Sequence, residues 1–187
     1  GILPELAETF DLSAKQLGYI NQMWFLGFPI TMVIGGLFYH VIGPRNIMAF
    51  AFVAHSAGIL LTIYSGGYIG LMISTLLIGL GNGCTEAACN PMIADSYQGK
   101  MMNTLMNRFH MWFPGGIVLG SLISYVMTGL NLGWEAQIWI FFAFHCFSHT
   151  HIYIYNMYIL YIHMPILLVG FDAMSSNGGS IYGDIHI

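Results

Sequence analysis

The stretch Gly79-Leu80-Gly81-Asn82-Gly83-Cys84-Thr85-Glu86-Ala87-Ala88-Cys89-Asn90-Pro91 decides how this chain is read, because Glu86 is the lone acid in an otherwise uncharged run from Ile69 to Ala94. A carboxyl at membrane depth costs about 2.5–3.5 kcal/mol on insertion scales, so it is tolerated where it faces a cavity, a partner or a proton path. Composition places the run in a bilayer. The chain is 57% hydrophobic and 6% charged, with a mean hydropathy of +0.71. Apolar segments recur at about the 20-residue length that spans hydrocarbon. Four spans are expected, at 17–39, 46–64, 69–94 and 104–130, and a fifth begins near Gln137. None alternates with the period of two that a membrane barrel needs, so the class is an all-α, polytopic membrane helical bundle.

The four basic residues orient the bundle. Lys15 precedes the first span, Arg45 lies between the first two, and Lys100 and Arg108 accompany the third-to-fourth connection. The positive-inside rule then puts Arg45, Lys100 and Arg108 on the cytoplasmic side and residues 1–16 outside, as an external loop. Ser13 ahead of Gln16 has the spacing of a capping box leading into the first span. The opening has neither a basic n-region nor an apolar h-region, so no signal peptide is read there, and the natural start is expected upstream of Gly1. Cys84, Cys89 and Cys146 are odd in number and two lie in one apolar helix, so they are expected to be small core residues rather than a disulfide framework.

Wound as a helix, the third span separates into two stripes. Asn82, Thr85, Glu86, Cys89 and Asn90 form a polar one, and Gly79, Gly83 and Ala87 a small-residue one about a quarter-turn away. The small stripe suits close approach of a neighbouring helix, which turns the polar stripe to a cavity. An acid held away from water is a candidate for proton exchange, so Glu86 is the expected proton-coupling residue. The alternative is that Asn82, Glu86 and Asn90 only hydrogen-bond neighbouring helices.

The fourth span carries a second constellation. Asn103, Asn107 and His110 share a face, Trp112 stands nearby, and Pro114-Gly115-Gly116 follows, with Gly116 and Gly120 as a further helix-packing pair. Amides donate to and accept from hydroxyls, and an aromatic face stacks on the apolar C–H face of a sugar. Asn90, Asn107, His110 and Trp112 are therefore expected near a neutral polyhydroxylated solute, with Asn82 and Gln22 as more peripheral candidates. Trp112 has a second reading as an interfacial belt residue.

These residues resemble the major facilitator superfamily, and within it the fucose:proton symporter-like sugar transporters. Glu86, Asn90 and Pro91 match the Glu-x-x-x-Asn-Pro motif of that group's fourth helix. Asn107, Trp112 and Gly116 match its fifth, with His110 where Gln is common and Phe113 where a second Asn is often found. Gly36, Gly43 and Arg45 match the superfamily's loop motif, although His40 replaces its acid and Val41 its first base. The resemblance covers about residues 3–140. It implies a partial six-helix N-terminal half of a major facilitator fold lacking its first helix, with Gln22 near the outer end of the second. It also implies dependence on that helix, which pairs an Asp with the fourth-helix Glu, and on a second six-helix bundle, since alternating access rocks two repeats.

From about Ala143 the text changes character. The run His149-Thr150-His151-Ile152-Tyr153-Ile154-Tyr155-Asn156-Met157-Tyr158-Ile159-Leu160-Tyr161-Ile162-His163 is low in complexity and is what a CA/TA dinucleotide repeat encodes. Residues 143–187 are therefore read as an anomalous tail translated from intron or out of frame. His145, His149 and His151 have a spacing that fits zinc on a helix, but no carboxylate or Cys cluster supports them, and neither metal nor cofactor is expected.

Residues 17–142 are thus expected to belong to a carrier of a sugar or related neutral solute, coupled to protons, in the plasma membrane. No nucleotide, nucleic-acid or hydrolase motif competes, so an enzyme is not expected. Two rivals stay open: a non-transporting truncated membrane protein, and a facilitative carrier in which Glu86 only hydrogen-bonds the solute.

Overall fold

A computed structural model describes residues 2–154, the side chains of Leu3 and of residues 148–154 excepted. Among the described residues seven helices follow one another: α1 (Leu3–Thr9), α2 (Ala14–Leu37), α3 (Tyr39–Ile42), α4 (Pro44–Tyr64), α5 (Tyr68–Ser96), α6 (Gly99–Gly129) and α7 (Trp134–Ile154). No strand occurs among the described residues. Helices α2, α4, α5 and α6 are each long and apolar enough to cross a membrane. The protein is a multi-pass, all-helical membrane protein.

Each of the four long helices begins before the apolar run that announced it. α6 begins at Gly99, not near 104, because backbone hydrogen bonding continues through the polar turn Lys100–Asn103 where hydropathy is low. Residues 1–16 are not wholly irregular either, since Pro4 in the first turn helps start the short helix α1. The capping box forms as expected: Gln16 N–H donates to Ser13 Oγ at 3.3 Å, and Ser13 N–H donates to Gln16 Oε1 at 2.9 Å. At the other end of α2, Gly43 takes φ +78°, a left-handed conformation that ends α3 and admits Pro44 as the first residue of α4. That is the physical reason for the matched glycine of the loop motif.

α5 is the centre of the bundle, with α2 and α4 packed along it. The seam with α2 is made of glycines. A Cβ added at Gly27 would lie 2.6 Å from the Leu76 carbonyl oxygen. One added at Gly79 would strike the Trp24 backbone, and one at Gly83 the Phe28 carbonyl and the Thr31 hydroxyl. Thr31 Oγ1 donates to the Leu80 carbonyl at 2.7 Å across this seam. The seam with α4 works the same way: Gly58 lies against Ser74, whose hydroxyl is 2.7 Å from that of Thr62, and Gly81 lies beneath the His55 ring. Lipid offers no hydrophobic drive between helices, so close backbone contact and interhelical hydrogen bonds hold them.

Two apolar clusters close the ends. Tyr39, Ile47, Ala51, Cys84, Ala87 and Ala88 pack at the α3 end. Burial there, with Asp95 nearby, pushes the Tyr39 phenol up from its ordinary value. Leu6, Ile20, Leu71, Trp134 and Ile138 pack at the opposite end, where α1 docks. Beside them Gln137, fully buried, accepts from Ser124 Oγ at 2.6 Å and donates to Thr128 Oγ1 and the Leu132 carbonyl at 3.0 Å each. Cys84 and Cys89 are free and buried, as the sequence suggests.

Residues 1–145 form one compact unit, and of the second, 146–187, the described part is the final stretch of α7. Most of the low-complexity run lies outside the described residues, as do the side chains of His149 and His151; no metal-binding group of three occurs among those described.

The glycine seam generates a stability prediction. Gly83→Val is expected to cost at least about 1–3 kcal/mol by overpacking, seen as a lowered thermal midpoint in detergent. Gly116→Ala, where nothing lies within 4 Å of the added carbon, is expected to leave the midpoint unchanged.

Candidate functional site

Because α2 and α4 occupy two sides of α5, the side left to its polar residues faces α6. Glu86 stands there with its side chain 17% exposed, about 15 Å along the helix from its Ser96 end at 1.5 Å per residue. Asn90, one turn on, donates from Nδ2 to Glu86 Oε2 at 2.8 Å. The same carboxylate oxygen lies 3.8 Å from His110 Nδ1 on α6. That separation is beyond hydrogen-bond reach, so the imidazole approaches the acid without being bonded to it. Asn90 Oδ1 is buried and has no partner. An orphaned buried acceptor costs about 1–3 kcal/mol, a deficit that a donor from a bound solute or water removes.

His110 is 51% exposed, so this corner is open on its α6 side. Asn107 lies three residues before it, on the same face of α6 and exposed. Pro114, four residues beyond His110 inside α6, has no N–H for the His110 carbonyl to accept, which adds a second free acceptor position at the same place. Thr85 is excluded from the polar group, because its hydroxyl donates to the Gly81 carbonyl of its own helix at 3.1 Å.

The remaining expected residues stand elsewhere. Asn82 lies beside His55 of α4, whose ring sits over the neighbouring Gly81, so its amide belongs to the α4–α5 seam. Gln22 is exposed in the N-terminal half of α2, two residues from Trp24 and therefore on the side of α2 away from the α5 seam. Trp112 follows His110 by two residues, roughly 200° around the helix, so it projects from the opposite side of α6; it is 51% exposed and lies against Gly115. Gly79 and Gly83 lie against the backbone of α2, whereas Gly116, Gly120 and Gly36 have nothing within 4 Å of an added Cβ. The sequence reading missed His55, although its place among Ala51, Ala54 and Gly58 on the α5-facing side of α4 marks it as an interhelical residue. It also missed Trp24, whose side chain is signalled only by its spacing of three from Gly27.

The profile of the Major Facilitator Superfamily matches residues 1–177. Among curated proteins the chain is 24% identical over 144 residues to "Probable anion transporter 6, chloroplastic" of Arabidopsis thaliana, covering 75% of this chain and 27% of that protein. It is 21% identical over 135 residues to the 3-(3-hydroxy-phenyl)propionate transporter of Escherichia coli, covering 72% and 33%. It is 22% identical over 135 residues to the D-xylose transporter of Levilactobacillus brevis, covering 72% and 30%. The chain thus spans about a third or less of the length of these relatives. No solved structure matches it.

The two asparagines are expected to separate by experiment. Asn82→Ala, which removes a polar contact at the α4–α5 seam, should lower the thermal midpoint, costing at most about 0.6 kcal/mol, with solute affinity unchanged. Asn90→Ala should weaken solute binding about tenfold with little change in midpoint. Thermal denaturation in detergent and a binding isotherm on the same preparations check both.

Proposed function

Since the chain belongs to the Major Facilitator Superfamily, we propose that it supplies part of a secondary transporter that moves a sugar or related neutral solute together with protons, rather than an enzyme. The observation that carries this reading is the Glu86–Asn90–His110 corner. An acid in a membrane helix is held by one amide, approached by one imidazole at 3.8 Å, and accompanied by a buried amide oxygen that lacks a donor. A carboxylate locked in a bidentate ion pair could not exchange a proton during a transport cycle, whereas one held by a neutral amide can. Asn90 and Asn107 supply the mixed donors and acceptors that hydroxyl groups require, and His110 stands between the proton-coupling acid and the solute. The name of the D-xylose relative is in keeping with this choice, and the anion and aromatic-acid relatives mark the breadth of solutes among similar proteins.

Alternating access in this superfamily would further need a helix ahead of α2 and a second bundle, with the plasma membrane as the site of action. In the competing facilitative reading, Glu86 hydrogen-bonds the solute without moving protons; the orphaned Asn90 oxygen is compatible with it, but the titratable imidazole of His110, 3.8 Å from the carboxylate, favours symport.

Cells expressing the complete gene in weakly buffered medium test this. Sugar addition should alkalinise the medium with the native protein and leave it unchanged with Glu86→Gln, while Glu86→Gln retains downhill sugar exchange. Equal downhill uptake by both proteins without any pH change removes proton coupling.

A further inference from the structure

Three aromatic rings meet between α2 and α6, one to two helical turns from Glu86 toward the N-terminal end of α5. Trp24 stacks on Phe28, with centroids 5.5 Å apart and planes 21° from parallel. It stands 6.0 Å from Phe113 of α6, at 30°. The glycine seam sets this position: Gly79 meets the Trp24 backbone and Gly83 meets the Phe28 carbonyl, and Glu86 follows Gly83 within one turn. Phe113 follows His110 by three residues and so shares its face of α6. Trp24 and Phe28 are half-buried, whereas Phe113 is 53% exposed, which makes it the ring with a surface to offer.

We infer that Phe113, braced by Trp24, is the surface on which the ring of a cyclic solute lies, and that this pair makes the site prefer ring-form over open-chain solutes. The inference rests on the solute reading above and adds what distinguishes one polyol from another. The polar corner of Asn90, Asn107 and His110 reads hydroxyl groups, which a cyclic sugar and its open-chain alditol both carry. Only the cyclic compound presents a rigid array of C–H bonds that an aromatic face can match along its whole area. Phe113 is the contacting residue, and Trp24 is a positioning residue that fixes the angle of the Phe113 ring across the α2–α6 gap. Trp112 cannot serve, because it projects from the other side of α6.

Proteoliposomes holding the complete transporter, with D-xylose uptake competed by unlabelled D-xylose or xylitol, test the inference. The native protein should prefer D-xylose. Phe113→Leu should raise the KM for D-xylose about tenfold, the size of one aromatic contact, with maximal rate little changed and inhibition by xylitol unmoved. Phe113→Tyr should restore the preference, Trp24→Phe should keep it, Trp24→Leu should weaken it by a smaller factor, and Trp112→Leu should have no effect. The inference is overturned if Phe113→Leu and Phe113→Tyr shift KM alike, if both compounds lose affinity equally, or if the native protein shows no preference. A native protein that carries no D-xylose at all instead defeats the solute reading, and this inference with it.

Discussion

Everything about this bundle hangs on how closely α2 can approach α5. Three glycines, at 27, 79 and 83, let two helix backbones touch where any side chain would push them apart, and Gly35 makes room for the Ala87 methyl. Since lipid tails are as apolar as leucine, burial of leucine and isoleucine does not decide which helices associate; dense backbone contact and hydrogen bonds such as Thr31 to Leu80 do. Once α2 is seated on one side of α5 and α4 on another, the remaining side is assigned without further choice. That side carries Glu86 and Asn90.

The same seam also places the chemistry laterally. By fixing Trp24 and Phe28 against Gly79 and Gly83, it sets aromatic surface a turn or two from the acid, while α6 brings His110 and Phe113 from across the gap. A packing feature and a functional feature are therefore one arrangement seen from two directions. The polar residues that serve packing are distinguishable from those that do not by whether their hydrogen-bonding capacity is used up. Thr85, Thr62 and Ser74 are spent on helix partners, whereas Asn90 keeps an unpaired oxygen.

The loop between α2 and α4 shows how a motif can keep its backbone logic after losing its acid and its first base. Gly43 retains the left-handed turn and Pro44 the helix start, so the connection is built as the matched glycine implies. His40 stands where the family's acid is expected, and its ring packs edge-on against Tyr39, 5.1 Å between centroids. Backbone conformation depends on the glycine alone, so it survives substitutions that alter the electrostatics of the loop.

Class, number and approximate position of the spans were legible from hydropathy, because the cost of unsatisfied backbone in lipid leaves helices as the solution for long apolar runs. The helix cap at Ser13 and Gln16 and the small-residue stripe at Gly79 and Gly83 were legible for a similar reason: both are local patterns that act at fixed spacing. Relations between helices were not. That Asn82 turns to His55 and that Phe113 meets Trp24 depends on the azimuth at which each helix is seated. That azimuth is set by contacts between residues far apart in the chain, from His55 and Gly81 to Trp24 and Phe113. Trp112 and the Gly116–Gly120 pair show the limit from the other side: composition nominated them, but rotation of α6 about its axis turned them away from the polar corner or left them without a packing partner. A one-dimensional pattern specifies which residues share a face of one helix, and only three-dimensional packing specifies what that face meets.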